Sequence, residues 1–132
     1  MEKLYSYMKG AVAHICPSRS EGGGNVNIEA SACGCIPIGT NIGGISEYIK
    51  NNKTGLLFEP ENSDDLAQKI IKILHNDGIN DILIENGLAF AQGFSIESQA
   101  DKYIKIYQKL GLKDRFIPWS DLTKKFKNVI ES

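Results

Sequence analysis

The chain has 132 residues, with 15 basic and 16 acidic side chains and a formal net charge of −1. That balance excludes the concentrated basic surface on which nucleic-acid binding depends. Its 42% hydrophobic and 23% charged residues fit one ordinary globular core, and no apolar run approaches the ~18 residues of a membrane span.

Met1-Glu2-Lys3-Leu4 lacks the apolar stretch of a signal peptide, so the chain is expected in the cytoplasm. Residues 11–16 (AVAHIC) are a short apolar run ending at Pro17, as a buried parallel strand would be, apart from His14. Residues 17–24 (PSRSEGGG) form a loop, and 25–33 (NVNIEASAC) a short helix that Gly34 ends. Residues 36–39 are a second strand, 41–44 (NIGG) a glycine-rich turn, 45–50 a short helix, and 55–58 a third strand stopped by Glu59-Pro60.

Helices follow. Ser63 is the expected N-cap of the first, with Asp64 and Asp65 placed to favour its dipole and Leu66, Ile70, Ile73 and Leu74 on its apolar face. Asp77-Gly78 is expected to break the chain before a weaker helix over 80–92 that contains Gly87. Ser95 caps another, with Ile96, Ala100, Tyr103, Ile104 and Tyr107 on one stripe, ended by Gly111. Beyond Pro118, Trp119, Leu122, Phe126 and Ile130 recur at helical spacing, with Ser120 as a cap. That stripe is expected to pack on the sheet domain, with self-association or a membrane surface as the other options.

Alternation of strand and helix argues for a parallel α/β sheet with right-handed crossovers, although three strands are few. The cysteines, Cys16, Cys33 and Cys35, are odd in number and lack a second ligand pair at zinc spacing. They are expected to be reduced core residues. His14 is expected to be a satisfied structural histidine, and His75 a residue favourable to a helix end.

The chemistry concentrates between Pro17 and Glu47. A strand, a glycine loop and a helix N-terminus in sequence offer unpaired backbone N–H groups to a phosphate. Gly22, Gly23 and Gly24 leave room for close approach. Gly43 and Gly44, after the next strand, can face the same group from a second side. Glu29, eight positions after Glu21, tilts back along its helix toward the N-terminus, and one carboxylate can accept from both hydroxyls of a ribose. Read from the residues alone, glycine runs are also plain turns, Glu21 also balances a helix dipole, and Glu29 is also a solvated surface residue. Against the last stands its close-packing setting of Ile28, Ala30, Ser31, Ala32 and Gly34.

The string PSRSEGGGNVNIEASACGCIPIGTNIGGISEYI resembles the retaining, nucleotide-sugar-dependent glycosyltransferases of the type B fold. The carriers are Pro17-Ser18, Glu21, Glu29, Ala30-Ser31-Ala32-Cys33-Gly34, Pro37 and Gly43-Gly44-Ile45-Ser46-Glu47. Thr54 to Phe58, the helix from Asp64, and Phe94-Ser95-Ile96 leading to Tyr107 add to it. The resemblance covers roughly residues 3–110.

It implies a partial three-layer Rossmann-like donor domain over 1–110, with a helical extension over 111–132. It also implies roles. Glu21 is the catalytic candidate, contacting donor-sugar hydroxyls, and Glu29 holds the nucleotide ribose. Amides around Gly23, Gly24 and Asn25 contact the diphosphate, with Gly22, Gly43 and Gly44 in the same donor site. The donor is a UDP- or GDP-type nucleotide sugar, with no metal and no other cofactor. The acceptor, a sugar or lipid-linked glycan, is reached through a domain preceding residue 1, so the chain reads as a fragment inactive alone. Gly23 departs from the family's usual aromatic, and neither Arg19 nor Lys50 matches its diphosphate-neutralising residues. Two rival functions are a nucleotide-sugar epimerase of the same fold and a non-catalytic nucleotide-binding or interaction module; self-association through an exposed sheet edge or the C-terminal helix is a further option.

Overall fold

A computed structural model describes residues 2–20, 24–75 and 77–109. The chain divides after Phe94 into two units. The first holds α1 (Glu2–Gly10), β1 (Ala13–Cys16), α2 (Asn25–Ala32), β2 (Ile36–Thr40), α3 (Gly43–Tyr48), β3 (Leu56–Phe58), α4 (Ser63–Leu74) and α5 (Asp77–Gln92). The described part of the second is α6 (Ile96–Lys109), in which no residue is buried. Among the described residues no helix is long and apolar enough to cross a membrane.

The three strands form a parallel sheet in the order β1-β2-β3. Ile15 lies beside Ile38, and Ile38 beside Leu56. Alternation along each strand sends side chains to two faces. Ala13, Ile36, Ile38, Leu56 and Phe58 meet Leu66, Ile70 and Ile73 of α4 and Ile79, Leu83 and Ile84 of α5. Cys16 and Leu57 meet Ile42, Ile45 and Ile49 around α3, together with Val26 of α2. The central strand β2 is buried along its whole length, as a parallel strand covered on both faces must be. Helices on both faces give the expected three layers.

Local signals account for most boundaries. Gly34 takes a φ of +76° just beyond α2. There the Cys35 N–H donates to the Ala30 carbonyl and the Gly34 N–H to that of Ser31, each at 3.0 Å, the paired closure that a left-handed glycine permits. Ser95 caps α6, its hydroxyl accepting from the Ser98 N–H at 3.1 Å.

Four expectations need correction. The N-cap of α4 is Asn62, not Ser63; its side chain accepts from the Asp65 N–H at 2.9 Å. Leu74 is 60% exposed and outside the core, because α4 turns Leu66, Ile70 and Ile73 inward and leaves Leu74 beyond the sheet. The next helix starts at Asp77 rather than 80, with Gly78 inside its first turn. Asn80 then donates to the Ile73 carbonyl at 2.7 Å, tying α5 to the end of α4. The sequence reading also lacked α1, which docks Met8 and Tyr5 against Ala30 and Cys35. The last amphipathic segment, 119–130, lies outside the described residues.

Candidate functional site

In a parallel sheet every strand delivers its loop to the same, carboxyl edge. The loops before α2, α3 and α4 therefore open on one side. Of the nominated residues, Glu21, Gly22 and Gly23 lie outside the described residues, and so does the expected bracketing of the loop by Glu21 and Glu29. Gly24, Asn25, Glu29, Gly43 and Gly44 are described.

Gly24 is the N-cap of α2 and offers no side-chain cap. The Asn27 N–H closes on the Gly24 carbonyl at 2.9 Å. Among the described residues nothing accepts from the Asn25 and Val26 N–H groups. These unmet donors and the dipole behind them give the end of α2 a partial positive charge. Glycine fits close surroundings at position 24: a Cβ there would lie 2.8 Å from Asn27 Nδ2 and 3.3 Å from Tyr48 Cδ2, so both side chains would have to shift. Glu29, one turn further along, is half-buried, and among the described residues its carboxylate has no hydrogen-bond or ion-pair partner.

Gly43 opens α3, whose first turn is likewise uncapped by any side chain. A Cβ at Gly43 would meet nothing within 4 Å, so the fold itself does not require glycine there. Val26 of α2 packs in one cluster with Ile42, Ile45 and Ile49, which sets the first turn of α2 against α3.

Two residues that matter here were not singled out as site residues in the sequence. Tyr48 is half-buried and braces Gly24. Its ring centroid is 5.6 Å from that of Phe94, which lies 5.1 Å from Phe90, and Lys50 Nζ stands 5.8 Å over the Phe90 ring. Asn27 is fully buried, and among the described residues neither its Oδ1 nor its Nδ2 has a partner. The available signal was a second asparagine two positions after Asn25, on a helix otherwise packed with Val26, Ile28 and Ala30.

His14 differs from expectation: its Nε2 is buried and unsatisfied, and burial holds its pKa below the ordinary histidine value. Cys16 and Cys35 are buried, Cys33 is half-buried, and all three are free thiols. Burial, with Cys33 alongside, pushes the Cys35 thiol pKa up, which suits an inert core residue. Among the described residues no group of three or more His, Cys, Asp or Glu side chains is placed to hold a metal.

The profile of the glycosyl transferases group 1 family matches residues 1–90. A glycosyltransferase of Methanocaldococcus jannaschii is 36% identical over 83% of this chain and 31% of its own length. The D-inositol 3-phosphate glycosyltransferase of Rhodococcus jostii is 35% identical over 81% of the chain and 24% of its own. Among solved structures, sucrose-phosphate synthase from Thermosynechococcus elongatus superposes with a TM-score of 0.75 at 33% identity, over 85% of this chain and 28% of that one. HepE of Anabaena shares the fold at 23% identity, with a TM-score of 0.72 over 78% of this chain and 29% of that one. The chain thus spans about a quarter to a third of the proteins it resembles.

Proposed function

This chain belongs to the glycosyl transferases group 1 family, and we propose that it binds the nucleotide diphosphate of a sugar donor at the N-terminal end of α2. The observation that carries this reading is the pairing of Asn25 and Val26 N–H groups, unmet among the described residues, with a Glu29 carboxylate, likewise unpartnered among them, one turn behind. A diphosphate is the chemical class that fits the first, and the cis hydroxyls of a ribose fit the second.

In the reaction, negative charge grows on the leaving diphosphate as the glycosidic bond to the donor sugar breaks. Fixed N–H dipoles aimed at that charge lower the barrier without reorganising. Glu21 is assigned to hydroxyls of the donor sugar, and Gly43 and Gly44 to the far side of the diphosphate. The parent protein transfers the sugar to a glycan acceptor, with retention, and without a metal ion. These last assignments rest on the likeness of the Pro17–Glu47 motif to the family.

Calorimetric titration of the chain with UDP, the nucleotide held in the Anabaena structure, tests the reading. Glu29→Ala is expected to weaken UDP by about 1.5–3 kcal/mol, the worth of a charge-assisted hydrogen bond. Glu21→Ala should leave UDP binding unchanged and weaken only UDP-sugar. Gly43→Val, into open space, should reduce affinity while the fold persists, and a chelator should change nothing. Equal losses for UDP from both glutamate variants would show that the ribose and sugar roles are assigned wrongly, and an absence of UDP binding would end the reading.

A further inference from the structure

A cavity of about 430 Å3 opens at the carboxyl ends of all three strands, on the loop before α4 rather than at the N-terminus of α2. It is lined by the exposed Pro17 and Pro60 and the buried Thr40 and Phe58, with Arg19, Glu61, Asn62 and Ser63 as a polar rim. Its size and its mixture of apolar wall with few polar groups are those of a small-ligand pocket. None of the roles assigned above uses it.

The rim keeps hydrogen-bonding capacity in reserve. Arg19 Nε meets Glu61 Oε1 at 3.5 Å, with both side chains mostly exposed, so the pair leaves other guanidinium N–H groups and the second carboxylate oxygen open. Asn62 uses its Oδ1 on the Asp65 N–H, which leaves its NH2 for another acceptor. Glu61 sits at φ +57°, a left-handed conformation that a β-carbon disfavours and that tends to persist where structure holds it for a purpose.

The segment entering α4 carries Glu59, Glu61, Asp64 and Asp65 against the cations Arg19 and Lys69. Of these charged groups only Arg19 and Glu61 line the cavity, and they pair with each other, so the lining carries no net charge that would select a phosphate or carboxylate. A neutral ring with several hydroxyls needs no such charge: its C–H face can lie on the exposed Pro17 and Pro60 while its hydroxyls bond the guanidinium, carboxylate and amide.

We infer that this cavity is a second carbohydrate subsite, which takes a neutral sugar ring of the glycosyl acceptor beside the donor. The assignment to the acceptor rests on the donor reading above; the recognition of a neutral sugar does not.

The test is a backbone-amide NMR titration of the full chain with methyl α-D-glucopyranoside, methyl α-D-mannopyranoside, UDP, UDP-glucose and inorganic phosphate, each separately. The glycosides are expected to shift Ser18, Arg19, Glu61, Asn62 and Ser63 with dissociation constants of about 1–50 mM, the range of a few unburied hydrogen bonds. UDP should shift Asn25, Glu29 and Gly43 instead. Arg19→Ala should weaken the glycosides about three- to ten-fold, as for a charged donor on an exposed rim, and leave UDP alone. Glu61→Gly relieves the left-handed strain, so it should keep or raise the thermal midpoint while weakening the glycosides, a split that a merely structural Glu61 would not give.

Glycosides that shift nothing at the rim, or shift only α2 and α3, overturn the inference even where UDP binds. Phosphate binding at the rim as tightly as the glycosides overturns the charge argument and the inference with it. Rim shifts from UDP-glucose but not from either glycoside would make the cavity part of the donor site and overturn its assignment to the acceptor. Rim shifts from the glycosides without any UDP binding support the sugar site and overturn the donor reading alone.

Discussion

Asn27 lies in the first turn of α2 with no exposure and, among the described residues, no partner for either polar atom of its side chain. A buried amide left unpaired costs about 1–3 kcal/mol. Asn27→Leu keeps the branched heavy-atom skeleton, at the cost of two bulkier methyl groups, and removes the unpaired amide, so it should raise the unfolding free energy by about 1 kcal/mol after that added bulk is accommodated, read in urea as a higher midpoint at unchanged slope. A lower midpoint would show that the amide is satisfied in solution and that the side chain stabilises the fold. Such a residue is hard to find in a sequence, because asparagine in a short helix reads as surface and only the packing of its neighbours reveals otherwise. His14 is a parallel case: its place in an apolar strand was legible, but the absence of a partner for Nε2 depends on what lies across from it. Glu29 is nominated by the motif, which fixes its spacing from the glycine loop, and the structure leaves its carboxylate half-buried and unpartnered among the described residues.

At the level of elements, what could be read were the strands and the stops between them. Apolar runs bounded by Pro17, by Gly34 and by Glu59-Pro60 fall where β1, β2 and β3 fall, since breakers act locally. The shortfalls were helices fixed by tertiary contact. The helix α1 has only nine residues and is held by Met8 docking on Ala30 and Cys35. The helix α5 was doubted because of Gly87, yet that glycine is buried in its interior. A Cβ at Gly87 would lie 3.5 Å from Ser31 Cβ and 3.5 Å from the Thr54 carbonyl oxygen, an ordinary contact. Gly87→Ala is therefore expected to stabilise the protein by about 0.5–1 kcal/mol through helix propensity, seen as a higher thermal midpoint. Gly55→Ala makes the contrast, because its Cβ would fall 2.3 Å from the Pro37 carbonyl oxygen. There the backbone must move, with a loss of about 2 kcal/mol or more. A loss at Gly87 comparable to that at Gly55 would mean that α2 and α5 approach more closely than these distances allow.

For the molecule as a whole, the sheet is closed on one side and open on the other. The outer strand β3 has three residues, and the Leu57 N–H is taken by Asn51 Oδ1 at 3.0 Å, so a short strand with a side-chain partner on its backbone ends the sheet there. The other outer strand, β1, is paired only with β2 among the described residues. Along it Ile15 is 40% exposed, and Val12, just before it, is 54% exposed. An unpaired strand edge with apolar neighbours is a template for another strand. No charged side chain lies between Ala11 and Cys16 to oppose such pairing. The expected outcome is reversible self-association of the isolated chain, with the sedimentation-average mass rising above 14.5 kDa at concentrations on the order of 100 μM, where exposed edges and apolar surface begin to associate. Ile15→Lys places a charge on that edge, the device by which natural sheets resist pairing. It should return the mass to that of one chain without loss of the thermal midpoint, since Ile15 is not in the buried core. Association that persists in Ile15→Lys would move the contact away from β1, and a wild-type mass independent of concentration would show that the edge is closed in solution.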